Sequence, residues 1–191
     1  MAASKDEVPI GAIIVLKQQS EQLCSFCVLS AAHNLVETLV DASAHAELLA
    51  LRSAALVTKN WRLYNTTLYC TLEPCPMCLS ACQAFRVDTI VYGARDVRLG
   101  AIESYINLLD EANPPHPYHP SINVVAGVRA EECSIIMKDF FRAKRQKREE
   151  KTSGLQRDGQ LVADSLPVRL RLTPIIRWCK HVLFDYFLAR K

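Results

Sequence analysis

The hydrophobic and polar positions of this chain change period several times, from runs typical of strands to spacings typical of helices. Short runs rich in β-branched and other apolar residues predict strands. These runs lie at residues 8–16, 24–31, 66–72, 88–94 and 122–128. Because helical patterns occur between several of them, we predict an α/β sandwich around one sheet.

Three segments predict helices: residues 43–56, a segment that ends near Phe85, and residues 130–150. Ser43 is a candidate N-cap for the first helix, because its side-chain oxygen could accept a bond from a free N–H group of the first turn. Pro74 and Pro76 open the second helix, since proline fits a helix only in its first turn. The second half of the third helix is basic.

Proline, glycine and charge mark the loops and boundaries. Residues 113–120, NPPHPYHP, predict a loop, and residues 151–160, KTSGLQRDGQ, predict a linker. A strand-like run and a helix-like segment behind Pro174 follow the linker. We therefore predict a domain over residues 1–150, and a linker with a C-terminal extension over residues 151–191.

Composition narrows the class of protein. Half of the 191 residues are apolar, so the composition does not predict disorder. No apolar run reaches the roughly 18–20 residues that a membrane span needs, and the N-terminus lacks a signal-peptide layout. We therefore predict a soluble cytoplasmic protein without a membrane partner, with an organellar location left open. The eight cysteines then favour metal binding or buried thiols over disulfides.

Charge is distributed unevenly, although the net charge is only +3. Residues 1–137 contain 9 Lys and Arg against 14 Asp and Glu, a net charge of −5. Residues 138–191 contain 14 against 6, a net charge of +8. A basic tail on a weakly acidic body suggests a polyanionic partner, but a solvated helix face would look the same.

The candidate chemistry begins at Cys75 and Cys78, in the segment TLEPCPMC. On a helix these two thiolates share one face, and the positive end of the helix favours them. Two thiolates need further ligands to hold zinc. Cys24 and Cys27 could complete a structural four-cysteine site. The long gap between the pairs, and the opposite directions of residues three apart on a strand, argue against it.

His45 and Glu47, in the segment HAE, offer a second way to complete the site. With His45, zinc would have three protein ligands and one position for water, which is the arrangement of a catalytic zinc. Glu47 could then take a proton from that water and pass it on. The motif H-A-E followed by P-C-x-x-C, each at the start of a helix, strongly indicates a catalytic zinc site of this kind.

The order H-x-E and then P-C-x-x-C is the signature of the zinc nucleobase deaminases. Other segments extend the match: EVPIGA, AHNLVET, AHAE, WRL, TLYCTLEPCPMC, VYGARD, GVRAEEC and DFFR. Together they closely resemble the bacterial-type tRNA adenosine deaminases, the TadA-like family of the cytidine/deoxycytidylate deaminase superfamily. The resemblance covers about residues 6–148. It implies a three-layer α/β/α fold, in which helices sandwich a central mixed β-sheet.

The resemblance also implies roles for particular residues. His45, Cys75 and Cys78 match the zinc ligands of the family, and Glu47 matches its proton shuttle. Asn34, Ala46 and Pro74 match positions at the bound nucleoside. In such enzymes zinc activates the water that attacks C6 of adenine, so that the wobble adenosine of a tRNA anticodon becomes inosine.

The implied partner is tRNA, together with a second copy of the chain, because the family tends to form homodimers. Arg142, Lys144 and Arg145 match a region that lies along the RNA, and Arg98 falls where relatives often carry a lysine. Contacts of this kind position phosphates and carry no sequence information.

Two other functions remain open at this point. One is a deaminase of free nucleobases or nucleosides, such as cytosine, guanine or adenosine; the basic stretch of residues 138–148 argues against it. The other is an inactive, zinc-stabilised RNA-binding protein, which does not need the Glu47 carboxylate. Against the family pattern, the N-terminal helix is expected to be missing. We also expect the apolar stripe of residues 174–190 to pack where that helix would lie.

Overall fold

The computed structural model describes residues 6–19, 24–117 and 119–158. Five strands and four helices lie in these ranges. They are β1 (Gly11–Gln19), β2 (Cys24–His33), α1 (Val36–Leu39), α2 (Ala46–Thr58), β3 (Thr66–Leu72), α3 (Pro76–Phe85), β4 (Thr89–Ala94), β5 (Asn123–Val125) and α4 (Ala130–Asp158).

The five strands form one mixed sheet in the order β2-β1-β3-β4-β5. Strand β1 pairs antiparallel with β2 and with β3. Strands β3, β4 and β5 are parallel to one another, with α3 as the crossover between β3 and β4. The predicted α/β fold with a central mixed sheet is confirmed.

The core lies between one face of the sheet and helices α2 and α3. Alternate residues of the strands point into it, as a half-buried sheet requires. They include Ala12, Ile14, Leu68, Cys70, Ile90 and Tyr92. Burying one large aliphatic side chain contributes about 1.5–3 kcal/mol. This layer therefore holds the N-terminal ends of α2 and α3 at fixed positions.

The opposite face of the sheet meets the start of α4. Gly93 is needed there, because a β-carbon at this position would lie 2.5 Å from the Cys133 sulfur on α4. Other apolar side chains of this face are exposed to solvent, among them Phe26, Val28 and Tyr69. In the described part of the chain, α4 is thus the helix of the third layer.

Several element boundaries differ from the prediction. Strand β1 starts at Gly11 because Pro9 has no N–H group for the ladder, and the Ile10 N–H bonds to the Val8 carbonyl. Strand β5 ends at Val125, before Gly127 turns the backbone with a φ of +80°. Helix α1 was not predicted, because four residues are too few to show a helical period.

The two predicted helix ends that involve Ser43 and the linker are wrong. Ser43 does not cap α2; its N–H and hydroxyl both bond to Asp41 Oδ1 at 2.8 Å, and His45 takes the N-cap position. Helix α4 continues past Glu150 to Asp158. Residues 151–158 include the good helix formers Lys, Leu, Gln and Arg, and one glycine inside a helix costs only about 1 kcal/mol.

The chain divides into two units at Gln146, the first being residues 1–146 and the second residues 147–191. The first contains the sheet and helices α1 to α3. Of the second, only residues 147–158 at the end of α4 are described. The expectations about the chain start and residues 174–190 lie outside the described residues, and the domain boundaries remain predictions. No helix in the described ranges is long and apolar enough to cross a membrane.

Candidate active site

Two helices begin side by side with a potential metal ligand at the N-cap position of each. His45 is the N-cap of α2, with φ −71° and ψ 148°. Cys75 is the N-cap of α3, with φ −73° and ψ 169°, and Pro76 follows it. Neither side chain makes the usual capping hydrogen bond to its own helix. Both are therefore available for another partner.

The three predicted ligands meet at one point. The Nδ1 atom of His45 lies 3.6 Å from Cys75 Sγ and 3.5 Å from Cys78 Sγ. All three donor atoms lie within 4.8 Å of one another. Ligands bound to tetrahedral zinc at 2.0–2.3 Å are about 3.3–3.8 Å apart, so both the spacing and the soft sulfur donors fit this ion.

The alternative four-cysteine site does not agree with the structure. Cys27 is exposed on β2, and its thiol bonds to the adjacent Val28 carbonyl. Among the described side chains, the group that could hold a metal is His45, Cys75 and Cys78. Cys82 is fully buried and is not one of this group.

Electrostatics at the site favour a thiolate. A hydrogen bond from the Cys78 thiol, with a second contribution from His45, lowers the pKa of Cys75 to about 4 despite its partial burial. The pKa of Cys78 is raised, because its proton is held by Cys75 and because it is buried. The hydrogen bond with Cys75 also raises the pKa of His45. The site therefore favours a thiolate at Cys75.

Glu47 lies in the first turn of α2 and is only 3% exposed. Its Oε2 atom has no hydrogen-bond partner among the described residues. Burial is the largest influence on this carboxyl and raises its pKa. A buried polar atom without a partner is rare in folded proteins and is often found at functional sites.

Asn34 is buried beside the start of α2. The N–H group of the next residue, Leu35, donates to the Ala44 carbonyl at 3.0 Å, just before this helix begins. The Nδ2 group of Asn34 donates to Glu7 Oε2 at 3.1 Å. A carboxylate only accepts hydrogen bonds, so the amide carbonyl of Asn34 faces away from Glu7.

The other residues predicted to be at the substrate are less accessible. Ala46 and Pro74 are buried completely, so their burial gives these two predictions no support. Arg98 is exposed in the loop after β4, and Arg142 and Arg145 are exposed on α4. Lys144 on α4 is half-buried and forms a 3.7 Å ion pair with Asp6. No described contact joins the loop arginine to the basic residues of α4.

Sequence patterns did not reveal two buried carboxylates near the site, Glu7 and Glu73. Glu7 accepts from Asn34 and, at 2.6 Å, from the Thr38 N–H. Glu73 accepts hydrogen bonds from the loop that follows β4. The available signals were an acidic residue at the start of an apolar run that contains a proline, in EVP, and an acidic residue next to a proline at the end of an apolar run, in EPC.

Comparisons with known proteins agree with this geometry. The sequence profile of the cytidine and deoxycytidylate deaminase zinc-binding region matches residues 1–94, which include all three candidate ligands. A tRNA-specific adenosine deaminase of Bacillus subtilis (strain 168) is 41% identical over 147 residues, covering 77% of this chain and 84% of that protein.

Two further comparisons extend the match. The chloroplastic tRNA(adenine(34)) deaminase of Arabidopsis thaliana is 40% identical over 152 residues; the match covers 73% of this chain but only 11% of that protein. A solved structure from studies of A-to-I editing by tRNA:A34 deaminases at the wobble position of transfer RNA superposes with a TM-score of 0.61. The two chains are 35% identical, and the match covers 71% of this chain and 89% of the chain in the solved structure.

Proposed function

Because the chain belongs to the family of tRNA-specific adenosine deaminases, we propose that it deaminates the wobble adenosine of a tRNA anticodon to inosine. The observation that carries the proposal is the buried Glu47 carboxylate beside a histidine and two cysteines at metal-binding distance. The reaction consumes one water per adenosine and releases one ammonia. A base in an anticodon loop is already unpaired, so bringing it into a pocket costs little.

We assign His45, Cys75 and Cys78 as the zinc ligands. When bound, zinc lowers the pKa of a coordinated water towards about 7 and so supplies the nucleophile. The two helix N-termini stabilise the negative charge of the thiolates. A fixed donor set at the ends of two packed helices keeps the reacting groups in place, which is what efficient catalysis requires.

Glu47 transfers the protons. Its carboxylate takes one from the attacking water and gives it to N1 of the adenine ring. A second transfer, from the new hydroxyl to the amino group, lets ammonia leave. Burial raises the pKa of this carboxyl and so makes it a better base than an exposed glutamate. Asn34 presents its carbonyl oxygen and thus pairs with a hydrogen-bond donor of the nucleoside.

Incubation with total tRNA, followed by inosine mapping, tests this function. We expect inosine at the wobble position of a tRNA that carries adenosine there. The same tRNA with guanosine at that position is the matched control and should stay unchanged. Deamination of free nucleobases or nucleosides, with tRNA left unmodified, would instead favour the small-molecule alternative.

We also propose that Arg142, Lys144 and Arg145 contact RNA phosphates. Replacing all three with glutamine should weaken tRNA binding and flatten its salt dependence. Each lost phosphate contact reduces the slope of log affinity against log salt by roughly 0.7–0.9. Filter binding at several salt concentrations measures the slope.

The matched control removes three exposed charges elsewhere, by replacing Lys17, Arg52 and Lys59 with glutamine. It should leave the slope nearly unchanged. An equal effect of both triple variants would mean that only the overall charge matters, and that the basic part of α4 is a solvated face.

A homodimer and a cytoplasmic location complete the proposal. Both rest on the family resemblance alone. Sedimentation of the full chain with and without tRNA measures the oligomeric state, and a monomer in both conditions would rule out the dimer.

A further inference from the structure

Glu73 lies at the end of β3, two residues before Cys75, and is only 2% exposed. Its carboxylate accepts five hydrogen bonds, and all five donors belong to one loop. Oε1 accepts from the N–H groups of Ile102 at 3.0 Å, Glu103 at 2.8 Å and Ser104 at 3.1 Å. Oε2 accepts from the Asp96 N–H at 3.1 Å and from the Ser104 hydroxyl. A buried carboxylate needs such partners, and this one has a complete set.

We call residues 95–104 the clamped loop. It leaves the end of β4 and folds around the Glu73 carboxylate. The Ala101 N–H then donates to the Pro74 carbonyl at 2.9 Å, which places the loop beside the start of α3. Gly100 packs so closely on the carboxylate that a β-carbon there would overlap it. The loop is therefore built around one side chain, next to a candidate zinc ligand.

The two halves of the clamped loop are held differently. Ala101 and Ile102 are buried in the core, whereas Val97 and Leu99 are 76% and 54% exposed. The exposed half thus has little apolar burial to fix it. Its described links are polar: the Asp96 bond to Glu73, and the Arg95 bonds to Glu103 at 2.9 Å.

We propose that Glu73 is a positioning residue, which holds the clamped loop in one conformation against the start of α3 and thereby sets the affinity for RNA. The proposal rests on the function proposed above, because Arg98 of this loop is one of the candidate phosphate contacts. A loop that is already ordered does not lose conformational freedom when RNA binds. Glu73 contacts neither substrate nor metal in this role.

The main variant is Glu73→Gln, which keeps the size of the side chain but replaces one acceptor oxygen with a donor. The control is Glu132→Gln, the same change at an exposed carboxylate paired with Arg129. In Glu73→Gln we expect faster hydrogen exchange at the amides of Asp96, Ile102, Glu103 and Ser104. We also expect KM for an anticodon stem–loop RNA to rise about tenfold, with kcat changed less and zinc content unchanged. The control should match the wild type.

If Glu73→Gln does not fold, Ser104→Ala removes the hydroxyl bond alone and should give the same changes at smaller size. Unchanged protection of the four amides would overturn the proposal. So would a fall in kcat at constant KM, or loss of zinc, since Glu73 would then act on the metal site. A wild type that makes no inosine would refute the proposed function instead. Hydrogen exchange and RNA affinity would still decide whether Glu73 positions the loop.

Discussion

Two buried carboxylates stand in mirrored positions around the candidate zinc site and have opposite surroundings. Glu47 comes two residues after His45, and Glu73 comes two residues before Cys75. Their exposures, 3% and 2%, are nearly equal. Glu73 accepts five hydrogen bonds, whereas Oε2 of Glu47 accepts none from the described residues.

The surroundings shift the two pKa values in opposite directions. Burial is the largest influence on both and raises the pKa of each carboxyl. For Glu47 this influence prevails. For Glu73 the hydrogen bonds from Ser104, Glu103 and Asp96 outweigh it, so the pKa is lowered. Two carboxyls of nearly equal solvent exposure therefore differ in the direction of their pKa shift: the pKa of Glu47 is raised and that of Glu73 is lowered.

Under the proposed function, the difference separates a residue kept for chemistry, Glu47, from a residue kept for structure, Glu73. A buried acceptor without a partner is destabilising by about 1–3 kcal/mol, so folding alone gives no reason to retain it. A fully bonded carboxylate organises the chain around it. Function and stability should therefore respond oppositely when each carboxylate is replaced by the amide of the same shape.

The largest expected effect is that of Glu47→Gln. The amide cannot accept and pass on a proton, so kcat for tRNA deamination should fall by about 10²–10⁴-fold or more. Zinc content should be unchanged, because the three ligands remain. The melting temperature should change little, because Oε2 of Glu47 has no hydrogen-bond partner among the described residues to lose. Single-turnover kinetics, metal analysis and thermal unfolding measure these quantities.

Two results would break the comparison for Glu47. Near-normal activity of the variant would show that this carboxylate transfers no proton. Loss of zinc, or a large fall in melting temperature, would show that Glu47 supports the structure as Glu73 does.

The next largest effect is expected for Gly100→Ala, which disturbs the hydrogen bonds between Glu73 and the clamped loop. The new β-carbon would overlap the Glu73 carboxylate and the Asp96 carbonyl oxygen, so the loop or the carboxylate must move. Overpacking of this kind costs about 1–3 kcal/mol in the free energy of unfolding. Denaturant unfolding measures this free energy.

The matched control for this variant is Gly127→Ala. No atom lies within 4 Å of a β-carbon at Gly127, so the cost there comes from the positive φ alone. A double variant that combines Gly100→Ala with Glu73→Gln provides a sharper test. If Gly100 and Glu73 act through one cluster, the two changes together should cost less than their sum. Full additivity would mean that they act independently.

The contrast between these sites also shows which parts were predictable from sequence. The candidate metal ligands and Glu47 lie in two short motifs, H-A-E and P-C-x-x-C, which can be recognised in the sequence. Glu73 could not be predicted in this way. Its donors lie 23 to 31 residues away, and they converge only when β4 pairs with β3.

Errors in the predicted elements have the same physical origin. Ser43 has the right residue type for an N-cap, but its bonds to Asp41 form a tighter turn one step earlier. The helix was predicted to end at Glu150 because glycine and serine follow, yet favourable neighbours carry α4 to Asp158. Competing local bonds decide such boundaries, and residue type alone does not rank them.

Glu7 is a third buried carboxylate and extends the comparison to stability against pH. Burial would raise its pKa, but the bonds from Thr38, Glu37 and Asn34 outweigh this and lower the pKa below the usual 4.5. Glu7 thus resembles Glu73 and should stabilise the fold as an anion. A carboxyl with a lowered folded pKa contributes its full stability above the unfolded pKa, and this contribution is lost as the pH falls through the folded value.

The smallest predicted effect follows from this sign. At about pH 6, Glu7→Gln should be less stable than the wild type, and the difference should shrink as the pH falls towards about 3. Thermal unfolding across this range measures it, with Glu131→Gln, at an exposed carboxylate in the first turn of α4, as the control. The control should show a smaller pH-dependent difference in stability, because the surroundings of an exposed carboxylate change little when the chain folds. If the stability deficit of Glu7→Gln relative to the wild type stays constant or grows as the pH falls, Glu7 would resemble Glu47 rather than Glu73. Hydrogen-bond saturation would then not be what separates the structural carboxylates from the reactive one.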